Sequence, residues 1–148
     1  MSLFVDVDWL RGDFRLRCRE HFPAEGVTAF FGRSGCGKTS LLRIIAGLEK
    51  VPGADVLFRG QVWQRGKQFL PPEKRRIGLV FQEHSLLPHL SVKANLLYGW
   101  QRTAQAQRHV QLDDVIGMLD IEELLGRSID QLSGGQRQRV ALGRALMT

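Results

Sequence analysis

The stretch Gly32-Arg33-Ser34-Gly35-Cys36-Gly37-Lys38-Thr39-Ser40 has residue types and a spacing suited to holding a phosphate chain. It fits G-x-x-x-x-G-K-[ST] through Gly32, Gly37, Lys38 and Thr39. Such a loop curls its backbone N–H groups inward around an anion, and a Cβ at the tightest positions would obstruct the curl. A helix that follows adds its unpaired N-terminal amides and the positive end of its dipole. In that setting Lys38 reaches the β- and γ-phosphates, the Thr39 hydroxyl ligates Mg²⁺, and Ser40 contacts the α-phosphate. Cys36 is either a small filler in the loop or a thiol made reactive by the surrounding amides.

A second anion site is written into "LSGGQ", Leu132 to Gln136. Ser133, Gly134 and Gly135 open a helix with exposed N–H groups and a hydroxyl, and an apolar Leu132 can staple that start against the domain. An ordinary Ser N-cap would use the same letters. The four histidines, His21, His84, His89 and His109, are scattered without ligand spacing, as are Cys18 and Cys36. Two such cysteines argue against a disulfide framework, consistent with a reducing compartment.

Elements that position these residues follow from pattern. "LFVDVDW" and "FRLRCREHF" alternate as strands around a turn at Gly12, and "GADVLFRGQVW" is a hairpin turning at Arg59-Gly60. "GVTAFFG" and "IGLVFQ" are continuous apolar runs of the kind buried on both faces of a parallel sheet. The first would run into the phosphate loop; the second would place Gln82 at a strand end, where ligands of open α/β folds gather. Leu41, Leu42, Ile44, Ile45 and Leu48 mark a helix after Lys38. Ser91 is positioned to cap a helix over "VKANLLYGW", and Leu112, Val115, Ile116 and Leu119 form one face of another. "PEKRR" is the strongest basic run and reads as a solvated loop, lacking the interleaved aromatics of a nucleic-acid patch.

At 148 residues and 43% hydrophobic content, the chain is long enough for one domain with a sizeable core. The net charge of +6 favours an anionic partner. No apolar run is long enough to span a bilayer and the N-terminus lacks a secretory pattern, so a cytosolic chain is expected.

In this order, a phosphate loop, "GLVFQEHSLLPHLSVKANLLYG" and "LSGGQRQRVALGRAL" resemble the nucleotide-binding subunit of ABC transporters. The finer likeness, through "LPPEKRRIGLVFQEHSLLPHLSVKANLLYG", is to importer ATPases of the molybdate branch, with sulfate, iron and sugar importers as alternatives. The resemblance implies an α/β fold: a P-loop NTPase core of ABC type with an N-terminal antiparallel β-subdomain and a helical subdomain carrying the signature. It implies one domain over 1–148, incomplete, with β-subdomain and core at about 1–82 and helical subdomain at about 83–135. ATP and Mg²⁺ are the implied ligands. Gln82 is implied to reach Mg²⁺ and the attacking water, which makes Lys38 and Gln82 the catalytic candidates and Thr39 and Gln82 the metal ligands.

The resemblance also implies a head-to-tail homodimer in which Ser133, Gly134, Gly135 and Gln136 close over the partner's ATP. A membrane permease, an indirectly contacted solute-binding protein and a peripheral place on the cytoplasmic face of the inner membrane come with it; nucleic acid does not. Adenine is expected to stack on an aromatic of the first hairpin, Trp9 or Phe14. In the family an apolar strand ending in Asp, then Glu, and later a switch His complete the hydrolytic site. No position here matches them, so the chain is expected to be truncated before that strand, to fold poorly alone and to show no steady ATPase activity. A nucleotide-binding fragment without turnover is the alternative function.

Overall fold

The computed structural model describes residues 2–83, 85–102 and 110–147, so His84 and His109 lie outside the described residues. The chain divides into two compact units, Met1–Arg76 and Ile77–Thr148.

The first unit is built on five antiparallel strands, β1 (Ser2–Arg11), β2 (Phe14–Pro23), β3 (Asp55–Phe58), β4 (Gln61–Arg65) and β5 (Gln68–Phe69). Their order is β2-β1-β3-β4-β5. Alternation decides the faces: Val5, Val7 and Leu16 point to the core, while Asp8, Arg15, Arg17 and Arg19 point outward. The ladder register sets Asp6 opposite Arg19 and Asp8 opposite Arg17. Arg59 and Gly60 turn the β3–β4 hairpin with φ of 49° and 83°. Two consecutive positive φ values are what a two-residue loop between twisted strands requires. Helix α1 (Lys38–Ala46) buries Leu41, Ile44 and Ala46. Leu42 stays 46% exposed and lines, with Ile45, Leu3, Phe22, Phe30 and Phe58, an apolar cavity of about 230 Å³. The apolar side of α1 is therefore wider than what covers it.

Arg75 departs from the reading of "PEKRR" as a solvated loop, while Glu73, Lys74 and Arg76 are exposed as expected. The Arg75 side chain is 1% exposed. The guanidinium donates to four backbone carbonyls: Nε to Leu70 (2.7 Å), Nη1 to Ile44 (2.9 Å) and Ile45 (2.6 Å), and Nη2 to Trp63 (3.1 Å). It also lies over the rings of Trp63 and Phe69. Ile44 and Ile45 belong to the last turn of α1, where the dipole is negative and carbonyls lack the full set of helical partners; the Ile44 carbonyl has the C-cap amide of Gly47 at 3.0 Å beside the arginine. The cation therefore ties the C-terminal end of α1 to the strands. Gly47 makes room for it: in left-handed conformation at φ 77°, a Cβ there would stand 2.7 Å from the guanidinium carbon.

The second unit consists of α2 (Val92–Trp100), α3 (Leu112–Leu119) and α4 (Gly134–Leu146), with short 3₁₀ turns at Glu122–Leu124 and Ile129–Gln131. Its core is Val92, Leu96, Ile121, Leu124, Ile129, Leu132 and Val140. Ser91 caps α2 as expected, its hydroxyl accepting from the Ala94 amide. Gly143 lets α4 approach its neighbours closely: a Cβ there would be 2.7 Å from Leu96 and 3.1 Å from Leu119. Among the described residues no helix is long and apolar enough to cross a membrane.

Two expected strands are absent among the described residues. Residues 27–32 and 77–81 have no regular secondary structure and join no ladder. Val27 is 97% and Phe31 93% exposed, and Val80 and Phe81 are also exposed. A strand buried on both faces needs hydrogen-bonding neighbours at its edges and a layer over each side. No described strand supplies them, so apolar content alone does not make these runs strands. Gly78 instead lies flush against the Ala145 carbonyl at the end of α4, where a Cβ would collide.

Candidate functional site

The expected phosphate loop is a turn in the first unit between Phe31 and α1. Gly35 and Gly37 take φ of 79° and 99°, the left-handed conformations that fold the chain back on itself. Gly37 is the N-cap of α1, and no side chain caps that end. The first amides of α1 are thus left to a ligand or water. Gly37 is also hemmed in, since a Cβ there would stand 2.9 Å from both Leu16 Cδ1 and Phe14 Cζ. The strand β2 side chains thereby press the start of α1 into place.

Lys38 defines the centre of the loop. Its Nζ donates to the carbonyls of Gly32 (2.8 Å) and Arg33 (2.9 Å) and contacts Cys36 Sγ at 3.6 Å. An ammonium with three donors is thereby held inside the curl of its own loop. The Cys36 amide closes the same curl by donating to the Arg33 carbonyl at 3.3 Å. Gly32 must be glycine for this packing, because a Cβ would meet Cys36 Sγ at 2.7 Å. Cys36 is therefore part of the loop's interior packing as well as exposed to solvent. Arg33, Ser34, Gly35 and Thr39 are exposed, and Ser40 is half-buried. The nine residues thus form one tight turn that holds the Lys38 ammonium and runs into the uncapped start of α1.

The first hairpin contributes two aromatics with different neighbours. Trp9 is half-buried, with the Arg11 guanidinium 5.7 Å from its ring. Phe14 touches the loop through Gly37.

In the second unit, Gln82 is exposed in a turn, not at the end of a buried strand. The unpaired run 77–81 before it explains the difference. At Ser133 the hydroxyl accepts from the Gln136 amide (3.3 Å), and the Gln136 side chain accepts from the Ser133 amide (2.9 Å). This reciprocal capping box satisfies two of the amides at the start of α4. Gly134 and Gly135 remain exposed, with no atom within 4 Å of where a Cβ would lie. Leu132 is buried in the core of the unit, as a staple requires. Arg137 reaches back to the carbonyls of Ile129 (3.2 Å) and Asp130 (3.4 Å), and Arg139 to those of Leu119 (3.1 Å) and Asp120 (2.8 Å). The basic character of this helix is thus largely spent on fastening neighbouring turns.

Residues 18–148 match the family described as ABC transporter. The chain belongs to the ABC transporter family. A molybdenum import ATP-binding protein ModC of Hahella chejuensis is 56% identical over 138 residues, covering 93% of this chain and 38% of that protein. The protein of the same name from Thiobacillus denitrificans is 51% identical over 140 residues, covering 95% and 38%. The chain thus spans under two-fifths of the length of these relatives. A solved dimeric bacterial ABC transporter cassette shares the fold, with a TM-score of 0.72 at 24% identity, over 99% of this chain and 68% of that one. The α/β fold of ABC type, with an antiparallel β-subdomain and a helical part bearing "LSGGQ", is the fold of this ABC chain.

Sequence reasoning missed two residues on which the site elements depend, Arg75 and Asn95. Asn95 left a signal, since it falls one helical turn from Val92 on the buried side of α2. Arg75 left none, because an arginine in a polar run carries no periodicity.

Proposed function

We propose that this chain is the ATP-binding part of an importer ATPase that couples ATP binding and hydrolysis to solute passage through a membrane permease, with molybdate as the solute. The observation that carries the nucleotide reading is Lys38, held by two loop carbonyls inside a turn whose following helix is uncapped. An arriving polyphosphate exchanges those carbonyls for phosphate oxygens, which are stronger acceptors for an ammonium. The loop amides and the dipole of α1 then add to the same charge. Molybdate rests on the curated relatives named above, because no residue in this reading touches the solute.

Gly32 to Ser40 cradle the phosphates, and Trp9 stacks the adenine. The donor set suits Mg²⁺: the Thr39 hydroxyl is exposed on the first turn of α1 and the Gln82 side chain offers an amide oxygen, both hard oxygen ligands. Bound there, Mg²⁺ would neutralise charge on the phosphate oxygens. Gln82 orients the attacking water through its amide, and Lys38 stabilises charge on the transferred phosphoryl group, so catalysis is positioning and electrostatics. Ser133 to Gln136 serve the nucleotide of a second copy arranged head to tail. In this reading the protein is a peripheral subunit at the cytoplasmic face of the inner membrane, contacting a solute-binding protein only through the permease.

A fluorescent ATP analogue titrated with Mg²⁺ tests the first step. Lys38→Ala is expected to weaken binding by about 100-fold, as loss of a charge-assisted contact to phosphate implies. Equal affinity in the two proteins would refute the phosphate-loop reading. Molybdate-stimulated ATP hydrolysis in the presence of the permease, absent with sulfate, tests the solute.

A further inference from the structure

Asn95 is fully buried in α2. Its Oδ1 accepts from the Leu87 amide at 2.9 Å, and its Nδ2 faces the carbonyls of Leu87 (3.1 Å), Leu90 (3.2 Å) and Ser91 (3.1 Å). One carboxamide thus folds residues 87–91, the loop that follows Gln82, onto the start of α2. The next amides of α2 are met from elsewhere in the same unit. Val92 donates to the Arg127 carbonyl and Lys93 to that of Leu125, each at 3.0 Å. That turn runs into a second capping box, between Ser128 and Gln131, and then into Leu132 and Ser133. Arg137 closes the circuit from α4 onto Ile129 and Asp130. Hydrogen bonds over the buried side chains of Val92, Leu96, Leu124, Ile129 and Leu132 therefore link the loop after Gln82 to the Ser133 turn.

We propose that Asn95 is a positioning residue that makes the loop at 87–91 and the Ser133 turn one rigid piece, so that displacement of the loop moves the turn. The proposal rests on the reading above, in which that turn serves the nucleotide of a second copy. Its physical basis is the absence of slack: the loop is closed by both ends of one buried side chain, and the amides at the start of α2 are shared between the two segments. Asn95→Asp removes the Nδ2 donor and sets a carboxylate among three carbonyls, releasing the loop at its anchor with little change of volume.

The test uses the protein expressed from its complete reading frame, with Mg²⁺ and the non-hydrolysable analogue AMP-PNP, and reads two quantities. Sedimentation gives the nucleotide-dependent dimer, and titration at low protein concentration gives the affinity of a single subunit. For Asn95→Asp the dimer dissociation constant is expected to rise about tenfold or more, the size of a coupling free energy between sites. Single-subunit affinity should stay within about twofold, because residues 32–40 belong to the other compact unit and share no hydrogen-bond partner with Asn95. Thermal melting accompanies both. Undiminished dimerisation would overturn the proposal, as would affinity and dimerisation falling together with the melting temperature, the mark of general destabilisation. Should Asn95→Asp fail to fold, Ser128→Ala breaks the same circuit at a half-buried position and is judged by the same readouts. If the unaltered protein forms no nucleotide-dependent dimer although it binds AMP-PNP, the head-to-tail reading falls and takes this proposal with it.

Discussion

Replacing Arg75 by Met would remove a cation that fastens the C-terminal end of α1 to the strands. The guanidinium has four carbonyl acceptors, of which those of Ile44 and Trp63 are buried. Each keeps a backbone donor without the arginine, the Gly47 amide on Ile44 (3.0 Å) and the Leu70 amide on Trp63 (2.7 Å), so what is lost is the charge-assisted bond at each. A hydrogen bond to a charged group contributes about 1.5–3 kcal/mol, so those two imply about 3–6 kcal/mol. The carbonyls of Leu70 and Ile45 are only partly buried and can be rehydrated. Met fills most of the volume and spares the cavity cost, but loses the stacking on Trp63 and Phe69, which adds about 0.5–1 kcal/mol for each ring. The expected loss is about 4 kcal/mol, among the largest that single substitutions give. Arg75→Lys keeps the charge but replaces a planar fork by a point donor, and should lose about half as much. Native-state hydrogen exchange of the α1 amides reads the change locally. A solvated arginine would alter stability by no more than about 0.5 kcal/mol. A loss under about 1 kcal/mol for Arg75→Met would refute the clamp.

Three further outcomes follow from the same geometry. Arg15 binds Asp8 through both oxygens, at 2.7 and 2.6 Å, and with Arg17 lowers the Asp8 pKa from 3.8 to about 2. A depressed carboxylate stabilises the folded hairpin above the unfolded value and ceases to do so as pH falls through the folded one. Hairpin stability should therefore decline between about pH 4 and 2, and in Arg15→Met the Asp8 carbon resonance should titrate closer to 3.8. Gly143→Leu forces α4 away from Leu96 and Leu119 and should cost about 1–3 kcal/mol or more in urea unfolding of the helical unit; an unchanged midpoint would contradict the close approach. Gly47→Ala meets both a positive φ and the Arg75 guanidinium, so it should cost about 1–3 kcal/mol and should be milder in an Arg75→Met background.

The local elements were legible from the residues that make them. Gly37 and Lys38 mark the start of α1, Ser91 and Ser133 mark the starts of α2 and α4, and Arg59-Gly60 marks a primed turn. In each case the chemistry lies within about four residues, the reach of a cap or a turn, so the letters carry it directly. The glycine-rich turn at 32–40 was readable for the same reason: its glycines are close together in the chain, and the positive φ of Gly35 and Gly37 is a local demand.

Whatever depends on a distant partner was decided by the tertiary structure. Residues 27–32 and 77–81 have the composition of buried strands, yet a strand is completed by neighbours that its own sequence does not contain. Arg75 looks like one more charge in "PEKRR", and only the carbonyls of Ile44, Ile45, Trp63 and Leu70 converging on it turn it into a buried clamp. Asn95 looks like a poor helix former until Leu87, Leu90 and Ser91 are seen around its carboxamide. Sequence by itself determined the caps, the turns and the glycine-rich loop before α1, because those interactions are short-range in the chain. The fold determined which polar groups are buried and what they fasten, because burial is a property of everything that surrounds a residue.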